Sequence, residues 1–181
     1  MTCQSEKLML PLFLRTNKVW NVAWIVVIIM QLALISGARG KDMVKHSFSF
    51  DTFVDSPDAE VLDYQYGSSG QFGTHANKEA VQLGRKFGQW NTTGVMPRGE
   101  FLYVKWRLKP SGQVYEDKVD LTTRLPADIT NHRIHFVIKG AQLYVYLISP
   151  ETEKRPPSWP AGPLRMYRDL KQHQIYPDQP K

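Results

Sequence analysis

Residues 133–148, RIHFVIKGAQLYVYLI, decide the fold class, because apolar side chains alternate with other residues on both sides of a turn. Lys139-Gly140 is the predicted turn of a β-hairpin. Alternation with a period of two is typical of an antiparallel strand pair that has one face in the core. The predicted core face carries Ile134, Phe136, Ile138, Ala141, Leu143, Val145 and Leu147, and the other face carries Arg133, His135, Val137, Gln142, Tyr144 and Tyr146.

A second hairpin is predicted from residues 101–108, FLYVKWRL, to residues 114–121, VYEDKVDL. A four-residue loop sets Lys105 opposite Glu116, whereas a two-residue loop would set it opposite Lys118. Opposite charges stabilise a cross-strand pair and like charges destabilise it, so the longer loop is favoured. The expected pairs are Phe101–Asp120, Leu102–Val119, Lys105–Glu116 and Trp106–Tyr115.

Two further strands and a short helix complete the predicted domain. Residues 44–53 alternate weakly, and residues 59–66, AEVLDYQY, end at a Gly/Ser-rich loop. Residues 77–87 are compatible with a short helix inside a stretch, residues 67–99, that otherwise reads as a long loop. We therefore expect a mainly β fold over residues 39–155, either an antiparallel sheet or a β-sandwich of hairpins with one or two short helices.

The C-terminal residues 156–181 are rich in proline, which lacks a backbone donor and cannot occupy a central strand. Pro163 is suited to begin a short helix that runs to about His173. Trp159 and Tyr167 are among the large side chains that this tail can bury. We therefore expect the tail to pack on the β domain.

Residues 1–38 are predicted to be an export signal or a membrane anchor. Residues 19–35, VWNVAWIVVIIMQLALI, carry no charge, follow a basic segment and precede small residues, which is the order found in signal peptides. Cleavage near Ala38 would release a periplasmic domain of a bacterial envelope. Without cleavage, a helix of about 26 Å would tether the domain to the inner membrane, whose apolar core is about 30 Å thick. Both alternatives remain open.

Composition and motifs exclude several functions. The net charge is +6, but no run of five basic residues exists, so nucleic-acid binding is not expected. The single cysteine, Cys3, excludes an internal disulfide. The chain has no GxSxG, P-loop or GxGxxG motif. His132 and His135 would point to opposite faces of a strand. We therefore expect no cofactor, no metal and no catalytic residue.

The predicted binding surface is the outward face of the 133–148 hairpin. Tyrosine and arginine are enriched at protein interfaces. The candidate binding residues are Arg133, His135, Tyr144 and Tyr146. In the other interpretation, the C-terminal tail covers this face.

Several segments resemble small exported proteins of proteobacteria: residues 99–107, 114–117 and 124–126 and the strand 142–148. Such proteins have no known catalytic motif, so the resemblance assigns no functional residue. By analogy of size and location, it implies a non-enzymatic, protein-binding domain, for example an immunity-type inhibitor of an envelope-acting effector. An envelope assembly or glycan- or lipid-binding protein is the alternative. A carboxylate-dependent hydrolase using Glu116, Asp117 and Asp120 is the third possibility.

Overall fold

The computed structural model describes residues 43–153 and 164–178. The predicted export signal or anchor at residues 1–38 lies outside the described residues. Within the described ranges, no helix is both long and apolar enough to cross a membrane. The elements are β1 (Met43–Asp51), β2 (Ala59–Tyr66), α1 (Lys78–Gln82), β3 (Gln89–Pro97), β4 (Phe101–Leu108), β5 (Val114–Asp120), β6 (Arg133–Lys139), β7 (Gln142–Thr152), a short 3₁₀ helix (Arg165–Tyr167) and β8 (Leu170–Tyr176).

The strands form two sheets, which confirms the mainly β prediction. One sheet has five strands in the order β3-β1-β6-β7-β8, and the other has three in the order β2-β4-β5. Neighbouring strands are antiparallel except β1 and β6, which pair in parallel. This parallel pair joins segments more than 80 residues apart in the chain.

Aromatic side chains from both sheets fill the core between them. Phe48 and Phe50 of β1 contact the ring of Tyr64 on β2, with ring centroids 5.9 and 5.0 Å apart. Phe50 also stacks on Phe136 of β6 at 4.7 Å. Trp106 of β4 is buried in the same cluster. Burial of such rings is the main favourable contribution to the stability of a domain of this size.

The β4–β5 hairpin has the predicted register, including Lys105 opposite Glu116 and Trp106 opposite Tyr115. Asp117 lies on the side of β5 that faces the core, where a carboxylate requires a partner. The hydroxyl of Tyr176 on β8 donates to Asp117 Oδ2 at 2.8 Å. This bond joins the two sheets at the C-terminal end of the domain.

The β6–β7 hairpin has the predicted faces, but the predicted turn at Lys139-Gly140 is wrong. Lys139 pairs with Gln142, so the loop is Gly140-Ala141. Gly140 has a φ of 58°, which is required at the first position of a type II′ turn and is accessible to glycine at little cost. Each β6 residue therefore pairs with a β7 residue two positions further along the chain than predicted. Because a shift of two residues preserves the alternation, each side chain keeps its face, and Ala141 lies in the turn.

Strands β3 and β8 were not predicted. The region of β3 reads as loop because Thr92 and Gly94 interrupt the inward-facing residues, and β8 has mostly polar residues. Both are edge strands, with less burial than a central strand. The helix predicted from Pro163 to His173 is wrong over its described residues, 164–173, where a short 3₁₀ helix is followed by β8.

The helix predicted at residues 77–87 is present but shorter. It begins after Asn77, whose side-chain Oδ1 accepts a hydrogen bond from the backbone of Ala80 at 2.9 Å. Gly84 has a φ of 65°, which is typical of a residue that ends a helix. The chain then runs extended, and Phe87 forms an isolated bridge with Val61 of β2.

Candidate functional site

The candidate site lies on the outer face of the five-stranded sheet, the face turned away from the three-stranded sheet. Cross-strand pairing places Asn91, Ser49 and His135 side by side on β3, β1 and β6. In the adjacent row, Thr93, Ser47 and Arg133 occupy the same three strands. The β3–β1–β6 half of this face is thus polar, which distinguishes it from the β7 half.

The β7 half of the outer face is apolar and is covered by the C-terminal segment. Leu164 is fully buried against Val137, Tyr146 and Ile148. Tyr167 packs on the same cluster, and β8 hydrogen-bonds to the free edge of β7. The described part of the tail therefore contacts the sheet both on its face and along its edge.

The four predicted binding residues do not form one continuous exposed patch. His135 and Tyr146 are only 1% and 7% exposed, respectively. Arg133 and Tyr144 are half-buried and reach the surface. The guanidinium of Arg133 lies 5.2 Å from the ring centre of Tyr167. Tyr167 of the C-terminal tail therefore belongs to the same surface as Arg133.

A buried hydrogen-bonded relay joins Ser49, His135 and Asp55. Ser49 Oγ lies 2.8 Å from His135 Nδ1, and His135 Nε2 lies 3.1 Å from Asp55 Oδ2. In the tautomer that carries the proton on Nε2, His135 donates to Asp55 and its Nδ1 accepts from the Ser49 hydroxyl. The other oxygen, Asp55 Oδ1, has no partner among the described residues.

Sequence reasoning placed His135 on this face but missed Ser49 and Asp55. The serines at alternate positions of β1 are a sequence signal for a polar outer face. Asp55 gives no such signal, because it follows β1 in a turn, with its backbone N–H donating to Asp51 O at 3.0 Å. The turn folds its carboxylate back onto the sheet.

A cavity of about 450 Å³ opens beside Ser49 and His135. Its size is within the range of small-molecule sites. Arg133 Nη1 donates to Asn91 Oδ1 at 2.6 Å, so a cation adjoins the polar wall that Asn91 contributes to the cavity. The lining residues are Ser49, Phe50, Asp51, Gln89, Trp90, Asn91, His135, Met166 and Tyr167.

Two other cavities have charged residues in their linings. In one of about 500 Å³, Arg124 donates to Asp178 and Lys171 lies 3.7 Å from Glu151. In the other, of about 580 Å³, burial raises the pKa of the Asp63 carboxyl. Neither cavity contains a hydrogen-bonded relay like that at Ser49.

The carboxylates considered for hydrolysis do not converge. Glu116 and Asp117 are consecutive strand residues and point to opposite faces, as do Asp117 and Asp120. Glu116 accepts from Tyr103, and Asp120 accepts from Thr122. Among residues 43–153 and 164–178, no group of three His, Cys, Asp or Glu side chains is arranged to hold a metal ion.

Comparison of the chain with known protein families, curated proteins and solved structures gave no match. The candidate site is therefore interpreted from its own geometry. That geometry combines a concave surface, an available cation and a buried polar relay on one face of one sheet.

Proposed function

We propose that the protein is an exported, periplasm-facing domain that binds another protein through the outer face of its five-stranded sheet. In its most specific form, the proposal is that the protein is an immunity-type inhibitor of an envelope-acting effector. The proposal depends on residues 1–38 acting as an export signal or inner-membrane anchor. Binding of the partner requires no catalytic residue of the domain.

The cavity beside Ser49 is the observation that carries the proposal. Met166, which lines this cavity, is 60% exposed and so offers apolar surface that a partner could cover. Methionine, tyrosine and arginine are enriched at protein interfaces. Here Met166 and Tyr167 are consecutive in the chain, and Arg133 contacts the Tyr167 ring. A concave site of this kind suits an anchor side chain of a partner protein.

The charge of Arg133 adds specificity to this surface. Its guanidinium donates to Asn91 and stacks on Tyr167, but within the described chain it forms no ion pair. A carboxylate of the partner could pair with it beside the cavity. Charge complementarity of this type contributes to partner choice and to the rate of association.

Purification of the full chain from its native host tests the proposal. We expect a stoichiometric protein partner under gentle conditions, and loss of that partner in Arg133→Glu. Arg85→Glu is the matched control, because Arg85 is exposed in the loop after α1 and belongs to none of the strands that form the outer face. A clean monomer, or equal loss of the partner in both variants, would contradict the proposal.

The alternative is an envelope assembly protein, or one that binds glycan or lipid through aromatic residues. The partly exposed ring of Tyr144, with Lys139 Nζ 5.6 Å from its centre, favours such a ligand, because amphipathic rings suit both sugars and headgroups. Co-purification of a lipid or glycan in place of a protein would favour this alternative.

A further inference from the structure

We propose that Ser49 is a nucleophile and that the domain hydrolyses small carboxylic esters at the cavity on its outer face. This activity goes beyond the proposed binding function and does not depend on it. It rests on four side chains that come from β1, the turn after β1, β3 and β6. In this assignment Ser49 and His135 are catalytic, Asn91 stabilises the oxyanion and Asp55 positions His135.

The relay has the connectivity that activates a serine. His135 accepts from the Ser49 hydroxyl over 2.8 Å and can therefore act as its general base. Asp55, 3.1 Å from the other ring nitrogen, selects the required tautomer and stabilises the imidazolium that forms. Such a site is recognised by distances and roles, and not by the order of its residues along the chain.

The oxyanion donor is the side-chain amide of Asn91. Asn91 lies directly opposite Ser49 on the neighbouring strand, where side chains on the same face are about 5 Å apart. Its Oδ1 accepts from Arg133, and its Nδ2 makes no hydrogen bond within the part of the chain that the structure describes. The amide nitrogen is therefore available to a substrate oxygen, and a donor of this kind contributes substantially to catalysis.

The cavity defines the class of substrate. Ser49 and His135 are almost completely buried, yet both line the cavity, so a substrate bound there would lie against both side chains. A volume of about 450 Å³ lies within the range of small-molecule sites and has room for a small ester. The apolar contacts would come from Met166 and Tyr167.

The reaction balances with water as the only co-reactant. Ser49 Oγ attacks the ester carbonyl carbon, its proton moves to His135 Nδ1, and the carbonyl oxygen becomes an oxyanion beside Asn91. Collapse of this intermediate breaks the bond to the alcohol, which takes the proton from His135 and leaves an acyl-serine. Water then attacks the acyl group by the same steps, releasing the acid and restoring Ser49.

Ser47 provides an internal comparison on the same face of the same strand. Its Oγ lies 2.8 Å from Thr93 Oγ1, a neutral hydroxyl that is too weak a base to remove the serine proton. Ser47 is therefore expected to remain unreactive. This difference in partner, and not strand position or burial, is what makes Ser49 the nucleophile.

Labelling of the full chain with an alkyl fluorophosphonate tests the proposal. The Ser49 oxygen would form a bond to phosphorus, fluoride would leave, and the proton would pass to His135. We expect one adduct, located on Ser49 by mass spectrometry. Ser49→Ala is expected to lose the adduct and Ser47→Ala to keep it. His135→Gln should slow labelling by at least about 100-fold.

Steady-state hydrolysis of 4-nitrophenyl acetate separates catalysis from structure. Asp55→Asn is expected to lower kcat at least about tenfold with KM within about twofold, because it disturbs the imidazole and not the cavity. Near-ultraviolet circular dichroism shows which variants are folded. Folded wild-type protein that takes no label, a label that persists in Ser49→Ala, or labelling of His135→Gln at the wild-type rate would each overturn the proposal.

Discussion

Replacement of Tyr66 by phenylalanine is expected to destabilise the domain by breaking a buried hydrogen-bond chain between the sheets. His46 Nδ1–H donates to Val44 O at 2.8 Å, so its Nε2 accepts from the Tyr66 hydroxyl at 2.9 Å. The same hydroxyl accepts from the backbone N–H of Gly99 at 3.0 Å. The chain links β1 of one sheet to β2 and to the β3–β4 connection.

The size of the effect follows from the groups left without partners. Tyr66→Phe keeps the ring stacked on Phe48, with centroids 5.1 Å apart, and removes only the hydroxyl. His46 Nε2 and the Gly99 N–H are then buried and unpaired, at about 1–3 kcal/mol each. We therefore expect the free energy of unfolding to fall by about 2–6 kcal/mol.

Urea denaturation at 25 °C and neutral pH measures this change. The matched control is Tyr103→Phe, whose lost hydroxyl donates to the exposed carboxylate of Glu116 at 3.1 Å and is expected to contribute less than about 1 kcal/mol. A Tyr66→Phe effect no larger than that of Tyr103→Phe would refute the reasoning.

The same hydrogen-bond chain predicts a pH dependence. Burial lowers the pKa of His46 below its ordinary value of about 6.5, and the bond to Val44 only partly opposes this. The unfolded chain therefore binds the proton more readily, so this contribution is present above about pH 6.5 and is lost as the pH falls below it. Wild-type stability should fall more between pH 7.5 and 5.5 than that of His46→Gln; equal losses would contradict this.

Three further changes have defined outcomes. Gly99→Ala should lower the free energy of unfolding by more than about 2 kcal/mol in urea denaturation, because the added Cβ would lie 2.4 Å from the Tyr66 ring. Gly94→Ala, whose Cβ would have no contact closer than 3.5 Å, should change it by less than about 0.5 kcal/mol. Burial raises the pKa of both Tyr66 and Tyr146 to about 12, so stability should be lost as the pH rises above about 10; unchanged stability at pH 11 would contradict this. Leu164→Ala should cost about 2–5 kcal/mol and increase hydrogen exchange in β8, and unaltered exchange would show that Leu164 does not hold the tail.

Local pairing was predictable wherever charge and hydrophobicity agreed. The choice between Glu116 and Lys118 as the partner of Lys105 was enough to set the β4–β5 register. The faces of β6 and β7 followed from alternation, although the turn was misplaced by one residue. These features depend on residues close together in the chain.

Long-range features were not predictable in the same way. β3 and β8 are edge strands whose polar residues do not alternate clearly with apolar ones. The site depends on the parallel pairing of β1 with β6, which sets Ser49 beside His135 across 86 residues. No local sequence pattern indicates that pairing. The turn that brings Asp55 back to the sheet has no recognisable sequence pattern either.

Site-specific photocrosslinking in the native host tests whether the outer face binds a protein. A photoreactive residue at Met166 lies at the cavity, whereas one at Val114, which is 50% exposed on the three-stranded sheet, is a control of similar exposure. We expect a single protein adduct from position 166 and none from position 114. Adducts from position 114 alone, or from neither position, would contradict it.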